Sequence, residues 1–272
     1  MKYLCFTANV SRSGYYKSLS AVERRNVKDQ KIVEGIKRIH VETRHTYGYR
    51  RLKIALERDL GFSVNKKRIQ RLQKEYDLHA KIRRRRFNYP KPTFQQEAAK
   101  DNILKREFTS EKMNEKWVTD ITYIQNGQKR LYMSALMDLY NREIISYRVS
   151  NTLMLPFVIE TFDEAFQKYK PEKVLIHSDQ GGHYTSPQFS HILKKNHAIQ
   201  SMSRRGNCLD NAAMENFFGH FKTELIYQLK PMKETDLRNQ IDSYIDFYNK
   251  KRIQTKIRMA PVEYRSHLAH TA

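Results

Sequence analysis

The sequence predicts an α/β protein: a mixed five-stranded sheet flanked by helices, preceded by a small all-helical domain. Three observations predict it. Residues 30 to 80 show helical periodicity and belong to a strongly basic first third. From Glu115 onward, three strand patterns come in succession and are followed by alternating helical and strand patterns, the order of a mixed sheet covered by helices. Two of the apolar runs carry an aspartate, Asp120 and Asp179, where an unpaired buried charge would be costly.

Length and composition allow this arrangement. The 272 residues suffice for two domains, and an apolar content of 39% supports a true core. The net charge of +22 is uneven. Residues 1 to 100 carry 26 Lys and Arg against 9 Asp and Glu, whereas the remaining 172 carry 25 against 20. The first third is therefore the electrostatic footprint, and it points to nucleic acid as partner. An anionic membrane surface competes for that role, but no apolar run reaches the roughly 18 residues that cross a bilayer. The apolar part of Met1 to Thr7 is too short for a signal peptide. Cys5 and Cys208 make neither a disulfide framework nor a zinc spacing. A cytoplasmic, reduced location is expected.

Residues 1 to 29 read as an N-terminal extension. The helical domain at 30 to 80 is broken by turn signals around Tyr47-Gly48-Tyr49 and Gly61-Phe62-Ser63. From Asn65 to Tyr76, Ile69 and Leu72 share one helix face, with Lys66, Lys67, Arg68, Arg71 and Lys74 around the rest and Ser63 or Asn65 as N-cap. This pattern fits either the DNA-reading helix of a helix-turn-helix or a solvated basic helix of a small bundle. Arg83, Arg84, Arg85 and Arg86 then open a Pro-containing stretch, and 81 to 112 reads as a basic linker that tracks phosphates.

The core is expected over 113 to 230. Trp117 to Ile124 is its first strand, and Arg130 to Tyr140 and Glu143 to Ser150 complete an antiparallel meander. A helix follows from Leu155 to Tyr169, with Val158, Ile159, Phe162 and Phe166 on one face. Next come a strand ending at Asp179 before the turn Gln180-Gly181-Gly182, a helix from Pro187 to His197, a strand at Ile199 to Ser203 and a helix carrying Glu215. In that helix Met214, Phe217, Phe218, Phe221 and Leu225 form an apolar stripe, with Glu215 and Lys222 together at its margin and Asn211 or Asp210 available as cap. The order matches an RNase H-like fold. Residues 231 to 272 form a C-terminal helical segment, with Ile241, Tyr244, Ile245 and Tyr248 as the stripe of a helix at Asp236 to Gln254.

The acids carry the chemistry. Asp120 and Asp179 have 58 residues between them, and Asp179 and Glu215 have 35. Mg²⁺ and Mn²⁺ take oxygen ligands and keep positions open for water and phosphate, so carboxylates from separate elements suit them. Two such ions about 4 Å apart can activate the attacking oxygen of a phosphodiester reaction and stabilise the leaving one. No serine or tyrosine stands in a nucleophile setting with a base beside it. Asp138, Asp163 and Asp210 read as ordinary paired or solvent-facing charges. The loop Ser203-Arg204-Arg205-Gly206-Asn207-Cys208 is basic and suited to closing over substrate.

Three motifs, Trp117-Val118-Thr119-Asp120-Ile121-Thr122-Tyr123, His177-Ser178-Asp179-Gln180-Gly181-Gly182-His183-Tyr184 and Ser203 to Phe218, closely resemble the DDE transposases of bacterial insertion sequences related to retroviral integrases. Within that group the chain resembles the OrfB product of the IS-three family, from Thr46-Tyr47-Gly48-Tyr49 to Ile253-Gln254. The resemblance implies that Asp120, Asp179 and Glu215 hold two Mg²⁺ (or Mn²⁺) ions, with Lys222 near the DNA of the element end. Water would first free a 3′-hydroxyl, which would then attack a target phosphodiester. Further implied are a homo-oligomer on DNA, the terminal repeats and target DNA as ligands, and an OrfA product, or an OrfA-OrfB frameshift fusion, as partner. Arg204 and Arg205 join the expected DNA contacts. Retroviral integrases carry a zinc-binding His-His-Cys-Cys domain; here His40 and His45 lack a CxxC partner, so no zinc is expected. Two other readings stay open: a catalytically inactive DNA-binding regulator of transposition, and an RNase H-like nuclease that hydrolyses without joining.

Overall fold

The structure is a computed structural model describing residues 1–81, 100–204 and 207–269. The chain divides into two compact units, Met1–Lys81 and Ile82–Ala272.

The first unit is all helical: α1 (Lys2–Thr7), α2 (Arg12–Glu42), α3 (Tyr49–Leu60) and α4 (Lys66–Glu75). Helix α2 crosses residue 29 without a break, so the stretch read as an extension is helical from Arg12. Ser11 starts it by accepting from the Gly14 N–H at 3.0 Å. Tyr16, Leu19 and Val27 are exposed along this half, so no buried stripe announced it in the sequence. The two expected turns lie where the glycines put them. Gly61 ends α3 in the left-handed region at φ +70°, which a side chain would strain. Asn65 caps α4 by accepting from the Lys67 N–H at 2.9 Å, while Ser63 instead donates to Glu57 at 2.8 Å. Ile32, Ile36, Leu52, Leu56, Ile69 and Leu72 close the core of this unit.

The second unit is the expected mixed sheet. Its strands are β1 (Lys116–Asn126), β2 (Lys129–Asp138), β3 (Ile144–Ser150), β4 (Leu175–Ser178) and β5 (Ile199–Met202), in the order β3-β2-β1-β4-β5. The first three form an antiparallel meander, and β4 and β5 add in parallel to β1. Its helices are α5 (Leu155–Tyr169), α6 (Pro187–Lys195), α7 (Ala212–Glu224), α8 (Glu234–Lys250) and α9 (Pro261–Ala269). Strand alternation splits the core in two. Val118, Ile124, Met133 and Met137 pack with Phe217, Phe221, Ile241 and Tyr244 of α7 and α8. On the opposite face Trp117, Leu136 and Ile145 pack with Phe162, Phe166 and Phe189 of α5 and α6. The C-terminal segment thus shares the core of α7, and Arg252 at its end is buried against Glu224, with N–O distances of 2.6 and 2.9 Å. Asp138 is likewise a buried, partnered charge, accepting from the Asn114 and Tyr140 N–H groups and pairing with Arg265 at 3.2 Å.

Candidate active site

The parallel register of β1 and β4 places the two aspartates. Val118 pairs with His177, the last such partners, and two residues farther along each chain stand Asp120 and Asp179. Both carboxylates therefore leave the sheet at one level, beyond the point where β1 and β4 part. By alternation Asp120 shares the face of Val118, the face that α7 covers. Helix α7 lays Met214, Phe217, Phe218 and Phe221 on that face and carries Glu215, exposed, in its first turn. Two turns later the Lys222 ammonium sits 4.4 Å from the centre of the Tyr123 ring.

The electrostatics agree with the geometry. The Asp120 carboxyl is pushed up to about 7, first by burial and next by the charge of Asp179. The Ile121 N–H, donating to it at 2.8 Å, pulls it back; Glu215 pushes it up and Lys222 lowers it. The three acids and the lysine thus share one electrostatic neighbourhood. Asp179 is steadied by the Gly181 N–H, which donates to its Oδ1 at 2.9 Å. Three carboxylates are the hard oxygen donors that Mg²⁺ and Mn²⁺ take, and the repulsion felt at Asp120 is what a cation would relieve. They do not form a closed cage by themselves: among the described residues no group of three His, Cys, Asp or Glu side chains is placed to hold a metal ion.

A scaffold absent from the sequence reading supports these acids. His177 is buried between Ser201 and Ser203, at 2.8 and 3.1 Å, and burial lowers its pKa to about 4, so it tethers β4 to β5 as a neutral ring. Beside Asp120, Thr119 donates to the Ala135 carbonyl at 3.0 Å and meets the buried Tyr184 hydroxyl at 3.2 Å. Neither expected cap serves α7 through its side chain. Asn211 instead donates to the Thr119 carbonyl at 3.0 Å. Asp210, fully buried, accepts from Asn102, Arg106 and Arg204 at 2.7 to 3.0 Å. Only the Asp-Asn pair just ahead of the helix hinted at this, and it was legible as a cap alone.

The expected DNA contacts fall into three groups. Lys66 and Lys67 are exposed in the first turn of α4. Arg68 and Arg71, on the same helix, both pair with Asp29 of α2, at 2.6 and 2.5 Å, and Arg204 pairs with Asp210 at 2.9 Å. Arg83, Arg84, Arg85, Arg86 and Arg205 lie outside the described residues.

Comparison with known proteins decides the family. Residues 110–208 and 215–268 match families described as integrase core domain, and residues 27–86 match an HTH-like domain. The InsK protein of insertion sequence element IS150 from Escherichia coli (strain K12) is 38% identical over 261 residues, covering 95% of this chain and 91% of that one. The chain belongs to the IS3 family of insertion-sequence transposases. InsF of IS3A, also from Escherichia coli (strain K12), is 28% identical over 93% of this transposase and 88% of its own length. The 31 kDa protein of insertion element IS600 from Shigella sonnei is 32% identical over 96% and 97%. The HTLV-2 integrase catalytic core domain, solved in complex with magnesium, superposes on 56% of this chain and 95% of that chain at 16% identity, with a TM-score of 0.46. By its family the transposase is a polynucleotidyl transferase with an integrase core and a helix-turn-helix-like domain. Among the described residues no helix is long and apolar enough to cross a membrane.

Proposed function

We propose that Asp120, Asp179 and Glu215 are the metal-holding catalytic residues, that two Mg²⁺ or Mn²⁺ ions serve each site, and that the transposase cuts at the ends of its element and joins the freed 3′-hydroxyl to target DNA. The observation that carries this reading is the shared level of Asp120 and Asp179 beyond the Val118–His177 pair, together with the charge of Glu215, in the first turn of α7, acting on Asp120. Bound there, the ions would supply an activated attacking oxygen and stabilise the leaving one. The chain's own groups do the rest. Asp120 stands within β1, Asp179 follows β4 directly and Glu215 is in the first turn of α7, whose phenylalanines are buried in the core. Lys222 offsets the negative charge of the acids for a phosphate that approaches them. His177, Asn211 and Asp210 hold the donors' backbone without touching the reacting atoms.

DNA binding extends this reading to both units. Lys66 and Lys67 on α4 meet the element end, and Arg205 and the arginines at 83 to 86 add charge along the chain. Assembly as a homo-oligomer on the terminal repeats, with an OrfA product or its fusion, and action on the bacterial nucleoid in the cytoplasm complete it. The reading includes no zinc; His40 Nε2 lies 3.1 Å from the Leu78 carbonyl and its ring stacks on His45.

The test is a strand-transfer assay with Mg²⁺ or Mn²⁺, using DNA ends taken from the sequence flanking the gene. Joined product that requires metal and disappears in Asp179→Asn is expected. Cutting without joining would replace the reading by a hydrolytic nuclease, and joining that survives in Asp179→Asn would remove Asp179 from the site.

A further inference from the structure

Tyr123 lies three residues beyond Asp120, on the part of β1 that continues past its pairing with β4. Tyr123 is 52% exposed. Two cations from different elements converge on it: Lys222 Nζ from α7 at 4.4 Å from the ring centre, and Arg130 Cζ from β2 at 5.1 Å. Either contact alone would be ordinary surface packing, since a cation over a tyrosine face gains from the ring quadrupole wherever it occurs. The convergence is different, because it restrains two long side chains that otherwise sample many rotamers. It also gathers positive charge beside a site whose three carboxylates repel a phosphate backbone. One strand presents a charge about every 3.4 Å along its axis, so cations seated on a single ring fall within reach of neighbouring phosphates.

We propose that Tyr123, Arg130 and Lys222 form a clamp for the backbone phosphates of the DNA strand beside the bond to be cut, with the tyrosine ring seating both cations. This inference rests on Asp120, Asp179 and Glu215 being the cutting site, and it adds Tyr123 and Arg130, which the sequence reading did not single out. The clamp contacts phosphates and not base edges, so it acts on any sequence.

The experiment measures binding of a labelled duplex carrying the flanking DNA, and of a scrambled duplex, by fluorescence anisotropy across a salt series in EDTA. Wild type is compared with Arg130→Gln, Tyr123→Leu and Tyr123→Phe, with thermal unfolding confirming that each is folded. Arg130 is exposed on the surface of β2, so its replacement spares the core. The expected result is a salt slope smaller by about one in Arg130→Gln for both duplexes, a similar loss in Tyr123→Leu, and a slope kept in Tyr123→Phe, which retains the aromatic face. Wild-type slopes in both Arg130→Gln and Tyr123→Leu would overturn the clamp, and a loss in Tyr123→Phe equal to that in Tyr123→Leu would overturn the role of the ring. Asp179→Asn in parallel separates the two assignments: if that variant still cuts with metal the cutting site is wrong, whereas the salt slopes decide the clamp either way.

Discussion

Asn211 donates its side-chain amide to the carbonyl of Thr119 at 3.0 Å, joining residues 92 apart in sequence. The bond ties the residue that precedes α7 to the residue that precedes Asp120, so it fixes Glu215 relative to the first aspartate. The Asn211 Oδ1 is buried and takes no hydrogen bond. Aspartate at this position loses the donor and brings a fourth negative charge to the acids. Asn211→Asp is therefore expected to lower cleavage by at least about tenfold, the equivalent of about 1.4 kcal/mol in the barrier. Asn211→Ala costs stability of about 1–3 kcal/mol through the unpaired carbonyl. Single-turnover cleavage together with urea unfolding checks both, and an Asp variant that cuts at the wild-type rate would show that the tie does not position the acids.

A second expectation concerns acid. The Arg204 side chain, then Arg106, holds the carboxyl of Asp210 well below the ordinary range against the effect of burial. A depressed carboxylate contributes stability that is present above its unfolded value, about 3.9, and that is lost as pH falls through the folded one. Wild type should thus lose stability below about pH 4 faster than Asp210→Asn, which is expected to be less stable near neutrality by about 1–2 kcal/mol, because both arginines are partly exposed and screened. Thermal unfolding from pH 6 to pH 2.5 measures the difference. Parallel curves for the two proteins would mean that Asp210 contributes no such linkage.

A third prediction separates packing from recognition on α4. Asp29 is buried on α2, and its carboxyl is held low despite that burial by Arg71 and Arg68. Removing either arginine leaves the acid poorly paired, so Arg68→Ala and Arg71→Ala should each destabilise the N-terminal unit by about 1–2 kcal/mol. Lys66 and Lys67 are exposed, so Lys66→Ala and Lys67→Ala should change stability by less than about 0.5 kcal/mol. Each lysine replacement should also lower the salt slope of DNA binding by about one. Lysine variants that bind with the wild-type slope would take this helix out of the DNA contact.

These partnerships mark where the sequence stopped being legible. Strand runs and helix stripes depend on neighbours within a few positions, so β1, the meander and α5 were readable, α5 to its very bounds at Leu155 and Tyr169. Asp120 and Asp179 stood out in the sequence because a charge interrupting or closing an apolar run is anomalous on its own. Pairings across long separations were not. Arg68 and Arg204 read as DNA contacts, and neither their pairing with Asp29 and Asp210 nor that of Arg252 with Glu224 was visible, because a basic residue in sequence does not reveal which acid the fold brings to it. The first half of α2 was missed for another reason: Tyr16, Leu19 and Val27 are exposed there and do not continue the buried stripe of Ile32 and Ile36.

The last prediction follows from placing like charges together. The Asp120 carboxyl is raised to about 7 by burial and by Asp179, so its charged form is disfavoured in the fold relative to the unfolded chain. An acid whose folded pKa is raised costs stability increasingly as pH climbs from its unfolded value, about 3.9, to the folded one, and the cost is complete above about 7. Asp120→Asn removes the charge while keeping the shape. In EDTA at pH 8 it should unfold at a higher temperature than wild type, by about 2–4 °C for each 1 kcal/mol relieved. Divalent metal reverses the order. Ligand that binds only the folded state stabilises it by mass action, so Mg²⁺ or Mn²⁺ should raise the wild-type midpoint as its concentration rises and leave Asp120→Asn nearly unmoved. The same variant should lose cleavage while retaining DNA binding. Unfolding scans of both proteins against metal concentration read the crossing directly. A wild-type midpoint that ignores metal, or an Asp120→Asn midpoint that rises with it equally, would mean that the metal is held elsewhere.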